Sequence, residues 1–264
     1  MCGIAGYSID DRSGIDRTLA AQALLAGIAE RGADAVGIAY RTSGAGITVR
    51  KQQTGASGLL ETLDLPATAH HVLLHVRAYT KGHPTIEANN HPIRHGAVVG
   101  IHNGIIENDD ALLERYGIPR AQAEMTVDSE AIFALVDDRP GDISAFEELE
   151  GAMATAWLDE RTHGALWLAR GVGRPLWLGQ SRHGFFFAST RSALQLVARA
   201  LRLRLRLEEL GEGRALRVVG HRIVERRKFR PDLGYREENV PPAVRAPHEG
   251  AWCVERLAAI ASLA

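Results

Sequence analysis

The chain is short of cysteine. Cys2 and Cys253 stand at opposite ends of 264 residues. That spacing argues against a disulfide framework and fits a reducing cytoplasm. Long apolar runs are also missing: no uninterrupted stretch approaches the roughly 18–20 residues that cross a bilayer, so no membrane partner is expected. Neither charge sign dominates, with 31 basic and 32 acidic residues for a net charge of −1. Nothing global therefore favours nucleic acid or an anionic surface. The first twenty residues include Asp10, Asp11 and Asp16 and lack a basic segment followed by an apolar one, so a signal peptide is not expected. His70, His71, His75, His91, His95 and His102 fall close in sequence, yet no spacing matches a closed zinc motif and no thiol accompanies them, so no metal is expected. Gly171-Val172-Gly173-Arg174-Pro175 lacks the third glycine of a dinucleotide fingerprint, and no cofactor is expected.

What remains is ordinary globular composition, 45% hydrophobic and 24% charged, enough for one large domain or two small ones. The run from Ile4 to Ile9 reads as a strand. Helical spacing predicts a helix over 15–30, closed by Arg31-Gly32 with Gly32 as a left-handed cap. Val36–Tyr40 and Ile47–Lys51 read as a hairpin around Ser43-Gly44-Ala45-Gly46. Strands are expected at 73–77 and 97–102, the latter ending at Asn103-Gly104, a common turn pair. Helices follow at 109–116 and 127–137, strands at 152–158 and 164–170, a hairpin at 175–188, a helix at 189–200 and a strand pair at 215–229. Leu201, Leu203, Leu205 and Leu207 alternate with Arg202, Arg204 and Arg206. This predicts an edge strand with a solvated arginine face, a reading preferred to a nucleic-acid patch. The stretch 229–249 reads as a linker or wrap. The last segment, 251–264, reads as an amphipathic helix with Trp252, Leu257, Ile260 and Leu263 as anchors. It would either fold back or dock on a partner. Many strands with interposed helices imply a layered domain of mixed or antiparallel sheets.

Cys2 directly follows Met1. If Met1 is removed, as its small neighbour leads us to expect, one residue carries both a thiol and an α-amine. A terminal amine can serve as the base for such a nucleophile, and both groups titrate near neutrality. Four further segments accompany it: Arg31-Gly32-Ala33-Asp34-Ala35-Val36-Gly37; His75-Val76-Arg77-Ala78-Tyr79-Thr80-Lys81-Gly82 with Asn90-His91-Pro92; Gly100-Ile101-His102-Asn103-Gly104-Ile105-Ile106-Glu107-Asn108; and Thr126-Val127-Asp128-Ser129-Glu130.

With the opening Met1-Cys2-Gly3-Ile4-Ala5-Gly6, these resemble the class II glutamine amidotransferase domain, an N-terminal-nucleophile hydrolase. The nearest pattern is the glutaminase domain of glucosamine-6-phosphate synthase. The resemblance runs from Cys2 to about Gly234. It implies an α+β, four-layer αββα sandwich at 1–234, with 235–264 as a C-terminal extension. It also implies that L-glutamine is hydrolysed through a γ-glutamyl thioester on Cys2, releasing glutamate and ammonia. Asn103 and the Gly104 N–H would form the oxyanion hole. Arg77, Thr80 and the His91 loop would hold the α-carboxylate, and Asp128 the α-ammonium. The residue types suit those tasks: planar carboxylates match arginine forks, and fixed donors stabilise oxyanions. A buried Arg77 would need an anionic partner; Asp128 could also be an N-cap or first-turn residue of a helix, but with the other segments present the ammonium role is preferred. Arg31 and Asp34 are expected as scaffold around the nucleophile.

Two positions depart from the family. Ala78 stands where its members usually have Trp, and Lys81 where they have His. Relatives also continue into a synthase domain, so released ammonia is expected either to reach an acceptor on a separate synthase subunit in trans or to go to solvent. Two other readings stay open: an amidohydrolase acting on another amide, and a glutamine-binding regulatory module without turnover.

Overall fold

Ala69–Arg77 (β4) is buried at all nine residues, so the strand has no face left for solvent. Leu73 packs in one apolar cluster while Val72, Leu74 and Val76 pack in another. Because successive side chains point to opposite faces, such a strand must lie in a sheet covered on both sides. The computed structural model meets that demand with four layers. It describes every residue except Ser43, Ala45 and Ala264, and Leu263 through its backbone only. The hairpin turn expected at 43–46 and the Leu263 anchor thus lie partly outside the described residues.

The strands are β1 (Gly3–Ile9), β2 (Ala35–Thr42), β3 (Ile47–Gln52), β4, β5 (Ile93–His95), β6 (Val98–Ile106), β7 (Gly151–Asp159), β8 (Ala165–Arg170), β9 (Trp177–Gln180), β10 (Gly184–Ala188), β11 (Arg206–Glu209), β12 (Arg214–Val219) and β13 (Arg222–Lys228). The helices are α1 (Arg17–Ile28), α2 (Ala56–Leu60), α3 (Asp109–Tyr116), α4 (Glu130–Asp138), α5 (Arg191–Ala200) and α6 (Pro247–Leu263). One sheet has the order β11-β9-β10-β1-β4-β2-β3 and the other β13-β12-β8-β7-β6-β5. Neighbouring strands pair antiparallel throughout.

Strand parity builds the layers. On β10, Phe185 and Phe187 face the other sheet, whereas Phe186 and Ala188 face the helices. On β7 and β8, Ala154, Ala156, Leu158, Leu166 and Leu168 meet them across the gap. Met153, Trp157, Ala165 and Trp167 turn outward to Phe133 of α4 and Phe146. On the far side α1 is buried on nearly every face, lying between its sheet and α5 and α6. Asp16 caps it by accepting from the Leu19 N–H at 2.9 Å. The result is the αββα sandwich expected from the resemblance.

Several expectations are corrected. Gly32 is extended, with φ −176°, and is no left-handed cap. It is needed for close approach, because a Cβ there would lie 2.3 Å from the Arg77 carbonyl oxygen. The 201–207 strand shrinks to β11, since Leu203 and Leu205 pack under α1 and α5 from a loop. β11 is nonetheless an edge strand. Asn103-Gly104 is no turn: β6 runs through both to Ile106, paired with Gly151.

The C-terminal segment folds back. Cys253 and Leu257 of α6 join the helix-side core, and Glu249 accepts from the Ser57 N–H and hydroxyl, each at 2.9 Å. Trp252, expected as an anchor, is 40% exposed on the outer face instead. Among the described residues no helix is long and apolar enough to cross a membrane.

Candidate active site

Three strands, β1, β4 and β6, put the chemistry together. Cys2 precedes β1, whose register pairs Gly3 with Val76 and so brings Cys2 beside Arg77 at the end of β4. Cys2 shares the parity of Ile4, Arg77 that of Leu73, and Asn103 that of Val99 and Ile101. Those apolar residues all belong to the inter-sheet cluster. Cys2, Arg77 and Asn103 therefore project from two sheets into the same space, at one end of the sandwich. A cleft there is lined by Cys2, Arg77, Thr80, His91, His102, Gly104, Asp128 and their neighbours. It gathers six of the seven residues expected from the sequence; Asn103 lies between two of the lining residues.

Cys2 Sγ donates to the Ala78 carbonyl at 3.4 Å, and its own carbonyl accepts from Arg31 Nε at 2.8 Å. Burial pushes the thiol up, and the Arg77 charge opposes that. The Met1 amine, which donates to the Pro242 carbonyl at 3.2 Å, is lowered to about 6, chiefly by burial. Asp34 accepts from the Tyr79 N–H at 2.9 Å, so Arg31 and Asp34 both brace the nucleophile's surroundings.

Arg77 does not depend on an anion. Its Nη1 donates to Asn90 Oδ1 at 2.5 Å, and its Nη2 to the carbonyls of Lys81 (2.9 Å) and Gly82. The expectation of an obligatory anionic partner is thus corrected: neutral acceptors satisfy much of the guanidinium, and they also tie the 78–82 loop over the cleft. Lys81 pins the same loop from outside, reaching Asp109 at 2.7 Å and Asp110 at 2.8 Å. Ala78, at the start of the loop, is buried, while Tyr79 is 42% exposed and meets the His83 ring edge-on at 5.3 Å. Thr80 is exposed on the loop.

Asp128 is buried, and its Oδ2 accepts from the Ile106 N–H at 2.8 Å. Its carboxylate thus faces β6 and does not cap α4, whose N-cap residue is Ser129. Asn89 fixes the preceding backbone by accepting from the Thr126 and Val127 N–H groups at 2.8 and 3.0 Å. Burial raises Asp128 to about 6, the Ile106 N–H opposes that, and Asp109 adds to it. His91 is buried, stacked on His75 with centroids 4.1 Å apart.

Asn103 is wholly buried, and neither its Oδ1 nor its Nδ2 has a hydrogen-bond partner. An unmet buried amide costs roughly 1–3 kcal/mol. Gly104 beside it has φ +154°, and a Cβ would fall 1.8 Å from the Ala152 carbonyl oxygen on β7. Gly104→Ala is expected to lower stability by at least about 3 kcal/mol, read as a shifted urea midpoint. A midpoint unchanged within error would show that this approach does not constrain the fold.

The sequence reading missed Asn90, Ser129 and the pair His75 and His102. Period-two parity from Leu73 would have placed His75 beside Arg77. Nothing local marks Asn90, whose role exists only across the β4–β5 connection.

Residues 75–196 match the family model of a glutamine amidotransferase domain. Glutamine–fructose-6-phosphate aminotransferase (isomerizing) of Gluconobacter oxydans is 35% identical over 186 residues, covering 65% of this chain and 29% of the relative. Its counterpart in Shigella flexneri is 32% identical over 212 residues, covering 75% and 33%. The chain thus spans about a third of the length of the curated relatives it matches. Among solved structures, glutamine phosphoribosylpyrophosphate amidotransferase from B. subtilis aligns with TM-score 0.67 at 20% identity, covering 86% of this chain and 49% of that one. A glutamine aminotransferase class-II domain protein from Silicibacter pomeroyi aligns with TM-score 0.55 at 18% identity, covering 87% and 100%. Sequence and fold both liken this chain to the glutamine amidotransferases: the domain model matches over 75–196, and the αββα sandwich aligns with solved amidotransferase structures.

Proposed function

We propose that this chain hydrolyses L-glutamine and that its own residues divide the work as follows. After removal of Met1, the Cys2 thiolate attacks the side-chain amide carbon. The Cys2 amine takes the thiol proton and delivers it to the departing ammonia. Asn103 Nδ2 and the Gly104 N–H receive the oxyanion; Arg77, helped by Thr80 and the His91 loop, receives the α-carboxylate; Asp128 receives the α-ammonium. Water then releases glutamate from the thioester. The observation that carries this reading is the unmet Asn103 amide, held in the space that Cys2 and Arg77 share. A donor kept unpaired at a cost is what oxyanion stabilisation requires, and each such donor is typically worth about 3–4 kcal/mol in the transition state. The ammonia would pass to an acceptor, as the aminotransferase names of the relatives suggest.

The test is ammonia and glutamate release from L-glutamine, compared with N-acetyl-glutamine, which has no ammonium for Asp128. Turnover of L-glutamine alone supports the assignment. Equal turnover of both would favour an amidohydrolase of broader scope, and saturable binding without ammonia would favour a regulatory module. The pH profile adds a second check. Asp128 is raised to about 6, so below that pH it is protonated and cannot pair with the ammonium. We expect kcat/KM to fall about tenfold per pH unit below 6, through KM more than kcat. A profile flat from pH 7 to 5 would remove Asp128 from the ammonium site.

A further inference from the structure

The buried His102 ring fixes the direction of a hydrogen-bond chain that ends at Asp128. Its Nε2 lies 3.2 Å from the Ala152 carbonyl, which can only accept, so Nε2 carries a proton. Burial holds His102 down to about 3, leaving the ring neutral with a single N–H. Nδ1 is then an acceptor, and the partner 2.8 Å away, Ser129 Oγ, must donate to it. That uses the one hydroxyl proton Ser129 has. Ser129 Oγ is also 3.5 Å from Asp128 Oδ1, and toward that oxygen it can present only lone pairs.

We propose that Ser129 is a positioning residue that sets when Asp128 gives up its proton, because its hydroxyl proton is committed to His102. A neutral Asp128 completes a one-way chain: its O–H donates to Ser129, Ser129 to His102, and His102 to Ala152. An ionised Asp128 faces the Ser129 lone pairs and loses that bond, keeping the backbone N–H groups of Ile106 and Ser129, both of which Ser129→Ala retains. The other charged or titratable groups that act on Asp128 are Asp109 on α3, Lys81 on the 78–82 loop, Arg77 at the end of β4 and the Cys2 thiol. Through this chain Ser129 resists ionisation of the empty site, and an incoming ammonium overcomes that resistance. The consequence for glutamine rests on the ammonium assignment made above; the protonation of Asp128 in the free protein does not.

The experiment is carboxyl ¹³C titration of Asp128 in the glutamine-free protein, wild type against Ser129→Ala. Loss of the acceptor should move the Asp128 midpoint down by about one pH unit. An upward shift would mean that Ser129 donates to the carboxylate, and no shift would mean that it does not act on it; either overturns the proposal. If Ser129→Ala does not fold, ¹⁵N shifts of His102 in the wild type decide: a proton on Nε2 is required, and a proton on Nδ1 reverses the chain. Where glutamine turns over, Ser129→Ala should lower the KM at pH 5.5 about threefold. Absence of turnover in both proteins would count against the glutaminase reading and leave the titration standing as the test of Ser129.

Discussion

Cys2→Ala is expected to give a folded protein that releases no measurable ammonia from glutamine, a loss of about 10⁴-fold or more. The side chain makes one hydrogen bond, to the Ala78 carbonyl at 3.4 Å, so its removal should change stability by no more than about 1 kcal/mol. The chemistry has no second thiol to fall back on, because Cys253, on α6, is buried in the helix-side core. The same loss is expected with the thiol intact if Met1 stays in place. Cys2 nitrogen is then a peptide nitrogen, which cannot take a proton, and the free amine belongs to Met1. Arg31 would still hold the Cys2 carbonyl, so the thiol should remain where it is. Activity assays on both variants, with circular dichroism to confirm the fold, distinguish loss of chemistry from loss of structure. A Cys2→Ala protein with wild-type turnover would refute the nucleophile.

Acidification is expected to unfold the protein steeply between about pH 5.5 and 4. Four buried histidines are responsible. His71 is lowered to about 4, His75 and His102 to about 3, and His91 well below its ordinary value, burial being the largest cause in each. Below pH 6.5 the unfolded chain binds a proton at each of these positions and the folded chain does not. Protonation therefore favours the unfolded state as pH falls, at about 1.4 kcal/mol per group per pH unit. Asp128 works in the opposite sense. Its folded value of about 6 lies above the unfolded one, so between pH 6 and 4 the folded state binds the extra proton and gains stability. Four groups against one leave a slope of about 4 kcal/mol per pH unit, large beside a typical total stability of about 5–15 kcal/mol. Urea midpoints at pH 7, 6 and 5 measure it. His71→Gln, at the end of β4 remote from Arg77, should flatten the slope by about one proton. Midpoints that stay level down to pH 5 would mean that the histidines already protonate in the folded state.

Much of the architecture was legible because burial writes itself as strand parity. The runs around Leu73, Ile101 and Phe186 are apolar on both faces, and only a strand covered on two sides uses such a run. The boundaries of α3 were legible for the same kind of local reason. What failed was whatever depends on another part of the chain. Asn103-Gly104 looks like a turn in isolation, and it stays in β6 because β7 pairs with both residues. Gly32 looks like a helix cap, and its smallness serves the Arg77 carbonyl. Arg77 looked in need of an anion because its carbonyl partners, on Lys81 and Gly82, belong to a loop whose path the sequence does not show.

At the site, residue types and order pointed to Cys2, Arg77, Asn103, Gly104 and Asp128, and tertiary structure brings them to one end of the sandwich. The loop that departs from the family was harder to read. Lys81 is held by Asp109 and Asp110, so at this position a pair of ion pairs pins the loop to α3. Tyr79, next to Ala78, turns toward His83.

The most direct test of the account is intact-mass analysis of the purified protein before and after reaction with a glutamine-analogue electrophile, with and without L-glutamine as competitor. The expected result is a chain lacking Met1, a single adduct mapped to Cys2, protection by L-glutamine, and loss of ammonia release in step with labelling. Ammonia release from protein that retains Met1, or undiminished by full labelling of Cys2, would contradict it.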